Sequence, residues 1–243
     1  MSPPSYEEWI QIVNSLPNNN ASGPSGVSNE MLKHLGPVAS RALWKLACLC
    51  LVLSDIPQQW KEATIYPIPK PIDWEYDLTK TRPITLLECA RKAVVKLIST
   101  RLSLTLAHNK VLKGHNHAGL PGSSTMAPLR IINSIVEDAK ENKKSLWILF
   151  QDLSKAYDRV NTFMLDKAMA RIQIPANCRQ FIGNLFTNRS NSVIGHYGLS
   201  QHYDVLIGGP RTSSIELITD FLPKLTQFAF FLFFVFCNYL SIQ

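Results

Sequence analysis

With 243 residues, 46% of them apolar and 18% charged, the chain is long enough to bury one sizeable core and too apolar to be disordered throughout. Its formal charge of +7 is concentrated in residues 61–160, which carry 16 Lys and Arg against 10 Asp and Glu; that balance fits an anionic partner such as nucleic acid and, equally, a merely soluble basic face. Five scattered cysteines with no Cys-x-x-Cys pair argue against a zinc site and against a disulfide framework, and the N-terminus lacks the basic and apolar regions of a secretory signal, so an intracellular setting, nuclear or cytoplasmic, is expected.

Taken in chain order, Ser5-x-x-Glu8 reads as a capping box opening a short helix with Trp9, Ile12 and Val13, ending at Leu16-Pro17. A polar loop over residues 18–26 follows. Ser28 can cap the next helix, which is interrupted at Gly36-Pro37 and resumes through Leu43–Leu53. Residues 62–70 predict a short strand whose prolines suit an edge or a strand end, and Arg82–Leu87 a second extended segment. Between Glu88 and His108, Ala93, Leu97, Ile98 and Leu102 recur at helical spacing, with Arg91, Lys92, Lys96 and Arg101 on other faces. A turn over Gly119–Ser124 and a helix over Thr125–Asn142 precede an apolar strand, Leu146–Phe150. Two helices broken at Pro175 are expected over 162–189, then a hairpin of 191–197 and 202–207 turning at Gly198-Leu199-Ser200.

The apolar strand ends in Asp152. A carboxylate there is costly to bury unless a cation meets it, and a divalent metal, for which Asp oxygens suit Mg²⁺, is one answer. The bland alternative is a loop cap, just as Lys70 and Arg82 could be solvated charges and Tyr157 a core residue.

The composition changes again at the end of the chain. Seven of the 11 phenylalanines fall in the last 23 residues, and Leu225–Ile242 contains no charged residue. Eighteen such residues reach the lower limit for a membrane span. A single-span anchor with membrane contact through 225–242, a hydrophobic capping strand or helix, and an accidental reading-frame tail are the three readings; the last is favoured by the comparison that follows.

Asp152-Leu-Ser-Lys-Ala-Tyr-Asp-Arg-Val160 closely resembles the first palm motif of the reverse transcriptases of non-LTR, LINE-like retrotransposons. Other segments resemble the same family in the same order. Ser22-Gly-Pro-Ser-Gly-Val27 is similar to its Gly-Pro-Asp-Gly-Ile segment, and Trp60-Lys61 through Ile68-Pro-Lys-Pro71 to its first fingers motif. Arg82-Pro-Ile-Thr-Leu86, with Lys92 and Arg101-Leu102, resembles the second; Gly122-Ser-Ser-Thr125 and Asn188-Arg189 with Tyr197-Gly198 resemble the stretches flanking the palm motif. The resemblance implies an α+β fold, the fingers and palm portion of a right-hand polymerase with an incomplete palm sheet. It implies RNA-directed DNA synthesis, with an RNA template, a DNA primer, dNTPs and Mg²⁺. Asp152 would be a catalytic, metal-binding carboxylate. Lys70, Arg82 and Lys155 would meet the triphosphate, Tyr157 would screen the sugar 2′-position, and Asp158 would be structural.

Beyond Gly209 the resemblance stops. The family continues with Gln-Gly and a Ser-Pro pair and then an Asp-Asp hairpin, whereas this chain reads Pro210-Arg-Thr-Ser-Ser-Ile215 and contains no Asp-Asp pair. The expected organisation is therefore a helical lead-in over 1–20, a partial reverse transcriptase domain over 21–209 and a divergent tail over 210–243. The expected function is that of a catalytically incomplete fragment, the alternatives being a non-catalytic nucleic-acid-binding remnant and a membrane-tethered basic protein.

Overall fold

A computed structural model describes residues 1–73, 75, 77–109, 111, 124, 126–149 and 160–205. Helix α1 (Tyr6–Asn14) begins where expected: the Ser5 hydroxyl accepts the Glu8 N–H at 3.1 Å. The Glu8 carboxylate in turn is held by Arg101, whose Nε and Nη2 donate at 2.7 and 2.6 Å, two charge-assisted bonds from one guanidinium fork. Its charged form is favoured by the Ser5 backbone N–H as well.

Ser28 caps α2 (Asn29–Lys33) through the Met31 N–H. Pro37 opens α3 (Pro37–Leu53), a position where its missing N–H is of no consequence. Helix α4 (Cys89–His108) runs through the middle of the protein, with Ala93, Val94, Val95 and Leu97 completely buried. The core is closed by Trp9 and Val13 of α1, Leu51 of α3, and Phe181 and Ile182 of α7 (Ala176–Asn184). Helix α6 (Thr162–Arg171) precedes α7, and Pro175 separates them as predicted. Helix α5 (Met126–Glu141) forms within the expected span but has no buried residue.

The sheet is mixed. Strand β1 (Glu62–Pro69) pairs antiparallel with β2 (Thr81–Leu87) and parallel with β3 (Arg189–Gly195). Strand β3 also takes the short antiparallel strands β4 (Gly198–Leu199) and β5 (Tyr203–Val205). Strand β1 is thus interior over its first half, and its prolines fall at the strand end, one of the two placements expected of them. Only Glu62–Ile65 face β3, so Pro67 and Pro69 lie where the strand has β2 alone for a neighbour. The Lys70 N–H donates to the Lys80 carbonyl at 3.0 Å; by the alternation of an antiparallel ladder, Pro67 and Pro69 then occupy the non-hydrogen-bonded positions, where no N–H is missed.

Two further expectations change. The reversal after β3 is at His196-Tyr197, since Gly195 pairs with Gly198 and Ile194 with Leu199. Gly198, at φ +112°, supplies the backbone conformation that this tight turn requires. Residues 146–149 of the predicted apolar strand belong to no strand, and Trp147 is 94% exposed. An apolar run becomes a strand only where a ladder partner is present, and no described strand lies beside it. The predicted turn over 119–123 lies outside the described residues, as does Phe150.

Candidate nucleotide-binding hairpin

The β1–β2 hairpin carries two of the predicted site residues. Ile68 is the register partner of Arg82, and Lys70 follows two residues after Ile68. Alternation along a strand puts Tyr66 and Ile68 of β1, and Lys70 just past its end, on one face with Arg82 and Ile84 of β2. Lys70 and Arg82 are therefore diagonal neighbours on that face, about 7–8 Å apart at Cα by sheet geometry. Tyr66, Ile68 and Ile84 share it and are 48%, 38% and 39% exposed, and Arg82 is exposed as well. The outcome is a basic surface, with Lys80 opposite Lys70 across the same ladder, edged by an aromatic ring and two aliphatic side chains.

The connection between the strands holds its own shape. Lys70 Nζ donates to the Thr79 carbonyl at 3.1 Å, and Lys80 Nζ to the Asp73 carbonyl at 3.1 Å. The Asp77 carboxylate accepts the Thr79 hydroxyl and N–H at 2.8 and 2.9 Å, and these bonds hold its carboxyl below the ordinary value.

At its base the hairpin is fixed by residues that sequence reasoning missed. Glu88, between β2 and α4, is buried, and its carboxylate accepts both the Ser25 N–H at 2.7 Å and the Ser25 hydroxyl at 2.6 Å. Gly23 lies against the same junction so closely that a Cβ there would stand 2.5 Å from the Glu88 nitrogen and 2.6 Å from the Leu87 carbonyl carbon. Lys92 Nζ donates to the Ala21 carbonyl at 3.3 Å. The loop that resembles the family's Gly-Pro-Asp-Gly segment is thus seated on the end of β2.

Arg91 does the same for β1. It is completely buried, donating from Nη1 to the Trp60 carbonyl at 2.8 Å and from Nη2 to the Leu185 carbonyl at 3.0 Å. Burial, with Arg189 nearby, pushes its pKa down to about 9, and burial pushes Arg189 down to about 10. Arg91 remains charged at neutral pH, and the helix-end carbonyl of Leu185 is a favourable place for that charge. A lysine joins this frame: Lys61 is buried and paired with Asp55 at 2.9 Å. The one signal in the sequence was that Arg91 and Lys92 directly precede the apolar run Ala93-Val-Val95.

Asp152, Lys155, Tyr157 and Asp158 lie outside the described residues. Among the described residues no group of three or more His, Cys, Asp or Glu side chains could hold a metal ion. Asp166 is engaged by Arg179 at 2.7 Å, and Asp204 lies in β5 opposite Ser190. The described residues therefore do not fit a Mg²⁺ site. No described helix is long and apolar enough to cross a membrane.

The model of the family "Reverse transcriptase (RNA-dependent DNA polymerase)" matches residues 68–204, more than half of the chain, including β2, most of the hairpin and α4 to β3. Among curated proteins the chain is 32% identical over 163 residues to a probable RNA-directed DNA polymerase from transposon BS of Drosophila melanogaster, covering 66% of this chain and 18% of that protein. It is 27% identical over 190 residues to the transposon TX1 uncharacterized 149 kDa protein of Xenopus laevis, covering 76% and 14% respectively. With the Pol polyprotein of the type-1 retrotransposable element R2 of Popillia japonica it shares 21% identity over 145 residues, 60% of this chain and 20% of that one. The chain thus spans no more than a fifth of the length of these relatives. Matched in this way across hairpin, central helix and sheet, the chain belongs to the reverse transcriptase family, in the branch carried by non-LTR retrotransposons.

Proposed function

We propose that this chain carries the fingers and part of the palm of an RNA-directed DNA polymerase, with residues 1–20 as a lead-in, 21–209 as the partial polymerase domain and 210–243 as a divergent tail. The observation that supports this most directly is the diagonal placement of Lys70 and Arg82 on the exposed face of the β1–β2 hairpin. Two cations side by side, one a planar guanidinium, suit the dispersed charge of a triphosphate. Tyr66 on the same face offers a ring against which a base can stack. Lys155 joins them at the phosphates, Tyr157 screens the sugar, Asp152 is the metal-binding carboxylate and Asp158 a structural residue; these roles rest on the family resemblance. The setting is nuclear or cytoplasmic.

Alone, the chain is catalytically incomplete. Joining a primer 3′-hydroxyl to a nucleotide uses two metal ions clamped between carboxylates. Mg²⁺, when bound in the family's complete site, supplies that charge stabilisation, but this chain has no Asp-Asp pair to join Asp152. What remains is recognition of a dNTP and of an RNA template with its DNA primer. Primer extension on an RNA template with Mg²⁺ or Mn²⁺ tests the reading: no product is expected, and template-dependent extension abolished by Asp152→Ala would overturn it.

A second reading, a non-catalytic nucleic-acid-binding remnant, is favoured by the concentration of positive charge in residues 61–160. It requires salt-dependent, sequence-tolerant binding.

A further inference from the structure

Lys80 stands where two like charges meet. The Lys70 N–H donates to the Lys80 carbonyl at 3.0 Å, so the β1–β2 ladder continues one position beyond the pair of Pro69 with Thr81 and sets Lys80 directly opposite Lys70. Opposite residues of a hydrogen-bonded pair share a face at about 5.5 Å between Cα atoms, and like charges so placed repel each other. Arg82 follows two residues further along on the same face. Three cations are thus gathered where the hairpin meets the connection between its strands.

What the connection offers them is weak. Lys70 Nζ and Lys80 Nζ each donate to one backbone carbonyl, those of Thr79 and Asp73, which leaves further donors on both ammonium groups. Among the described residues, the carboxylate that meets this cluster is Glu75, 3.6 Å from Lys80 Nζ and largely exposed. A pair of that kind contributes little. Asp77 is taken up by Thr79.

The face also has a fixed order along the strands. Tyr66 lies opposite Ile84, then Ile68 opposite Arg82, then Lys70 opposite Lys80. Four residues separate Tyr66 from Lys70, about 13 Å of strand. A nucleotide whose base stacks on Tyr66 therefore runs its phosphates past Arg82 and ends at the two lysines.

We propose that Lys80, with Lys70, binds the terminal phosphate of a nucleoside triphosphate, and that Glu75 holds Lys80 until the nucleotide displaces it. Lys80 is then the residue by which the hairpin distinguishes a triphosphate from a diphosphate. The proposal rests on the reading of the hairpin as a nucleotide site and adds to it a third cation, a direction for the nucleotide and a competing counter-ion.

The test is an equilibrium titration of the full chain with dATP and with dADP in EDTA, so that no metal bridges the phosphates. Lys80→Gln should weaken dATP binding at least about tenfold, as expected for a lost hydrogen bond to a charged group, and dADP binding less than about threefold. Lys80→Arg, which keeps the charge, should restore dATP binding. Glu75→Gln should tighten dATP binding about two- to fivefold, the worth of an exposed ion pair, and should have no effect in the Lys80→Gln background. A lysine that only braced the connection would give no tighter variant. Should Lys80→Gln alter the far-UV circular dichroism, Glu75→Gln decides by itself. Equal losses for dATP and dADP, or a Glu75→Gln chain that binds no more tightly than wild type, overturn the proposal. Lys70→Ala combined with Arg82→Ala separates it from the reading beneath it. If dATP binding is absent in the wild type or unchanged in this double variant, the nucleotide site itself is refuted and the proposal with it. If binding is lost there but insensitive to Lys80→Gln, the role of Lys80 alone is refuted.

Discussion

Gly23 and Glu88 form a joint in which each requires the other's neighbourhood. The glycine lies against backbone atoms, which cannot swing aside as a side-chain end can. Gly23→Ala is therefore expected to cost about 1–3 kcal/mol in urea denaturation, the range for overpacking a fitted site. Arg91→Met removes the donors to the Trp60 and Leu185 carbonyls. It should destabilise by about 1–3 kcal/mol for polar groups left without a partner, offset in part by relief of the buried charge. The ion pair between Glu8 and Arg101 makes a prediction in pH. The guanidinium bond to the carboxylate, then its charge, hold Glu8 below its ordinary 4.5. A carboxyl whose folded pKa is depressed contributes stability that is complete above its unfolded value and is lost as pH falls through the folded one. Wild-type stability should thus fall below pH 4.5 more steeply than that of Glu8→Gln, a loss of at most about 1 kcal/mol because the pair is partly exposed. Equal slopes in acid denaturation would show that the pair contributes nothing.

At the level of elements, the β1–β2 hairpin is the unit that carries Lys70 and Arg82. The strands and both cations are legible in the sequence because Pro and β-branched residues mark short extended segments and because the family pattern places the charges. Their sharing of one face is not legible, since it depends on the register Ile68 to Arg82, and a slip of one residue would send them to opposite sides. If this face binds the phosphates of a nucleotide, Arg82→Ala combined with Lys70→Ala should weaken dNTP binding at least about tenfold in an equilibrium titration, equivalent to about 1.4 kcal/mol. An unchanged dNTP affinity would place the triphosphate elsewhere. Helix α4 behaves in the opposite way. Ala93, Leu97, Ile98 and Leu102 mark it as a helix in the sequence, but Arg91 and Lys92 are interior residues because the turn before β1, the residue that ends α7 and the loop before α2 each bring a carbonyl to them.

For the molecule as a whole, the parallel pairing of β1 with β3 joins residues more than a hundred positions apart, with α4 to α7 between them. No local pattern announces such a pairing. The run 146–149 shows the same dependence from the other side: its apolar composition predicts a buried strand, and with no partner strand among the described residues it is exposed. The absence of an Asp-Asp pair from this sequence also belongs at this scale, because on the function proposed above polymerase activity needs the whole palm. Supplying Mn²⁺ in place of Mg²⁺ is accordingly expected to rescue no primer extension.

By itself, the sequence determined the family, the order of the helices and the identity of the cations on the hairpin, because these are written in residue type, spacing and punctuation by proline and glycine. Tertiary structure alone decided that β1 lies between β2 and β3 and that Glu88 clamps the Ser25 loop. It also decided that two arginines, Arg91 and Arg189, lie inside. Each of these depends on what a distant segment brings alongside, and burial is a property of neighbours in space, which a pattern of residues along the chain does not specify.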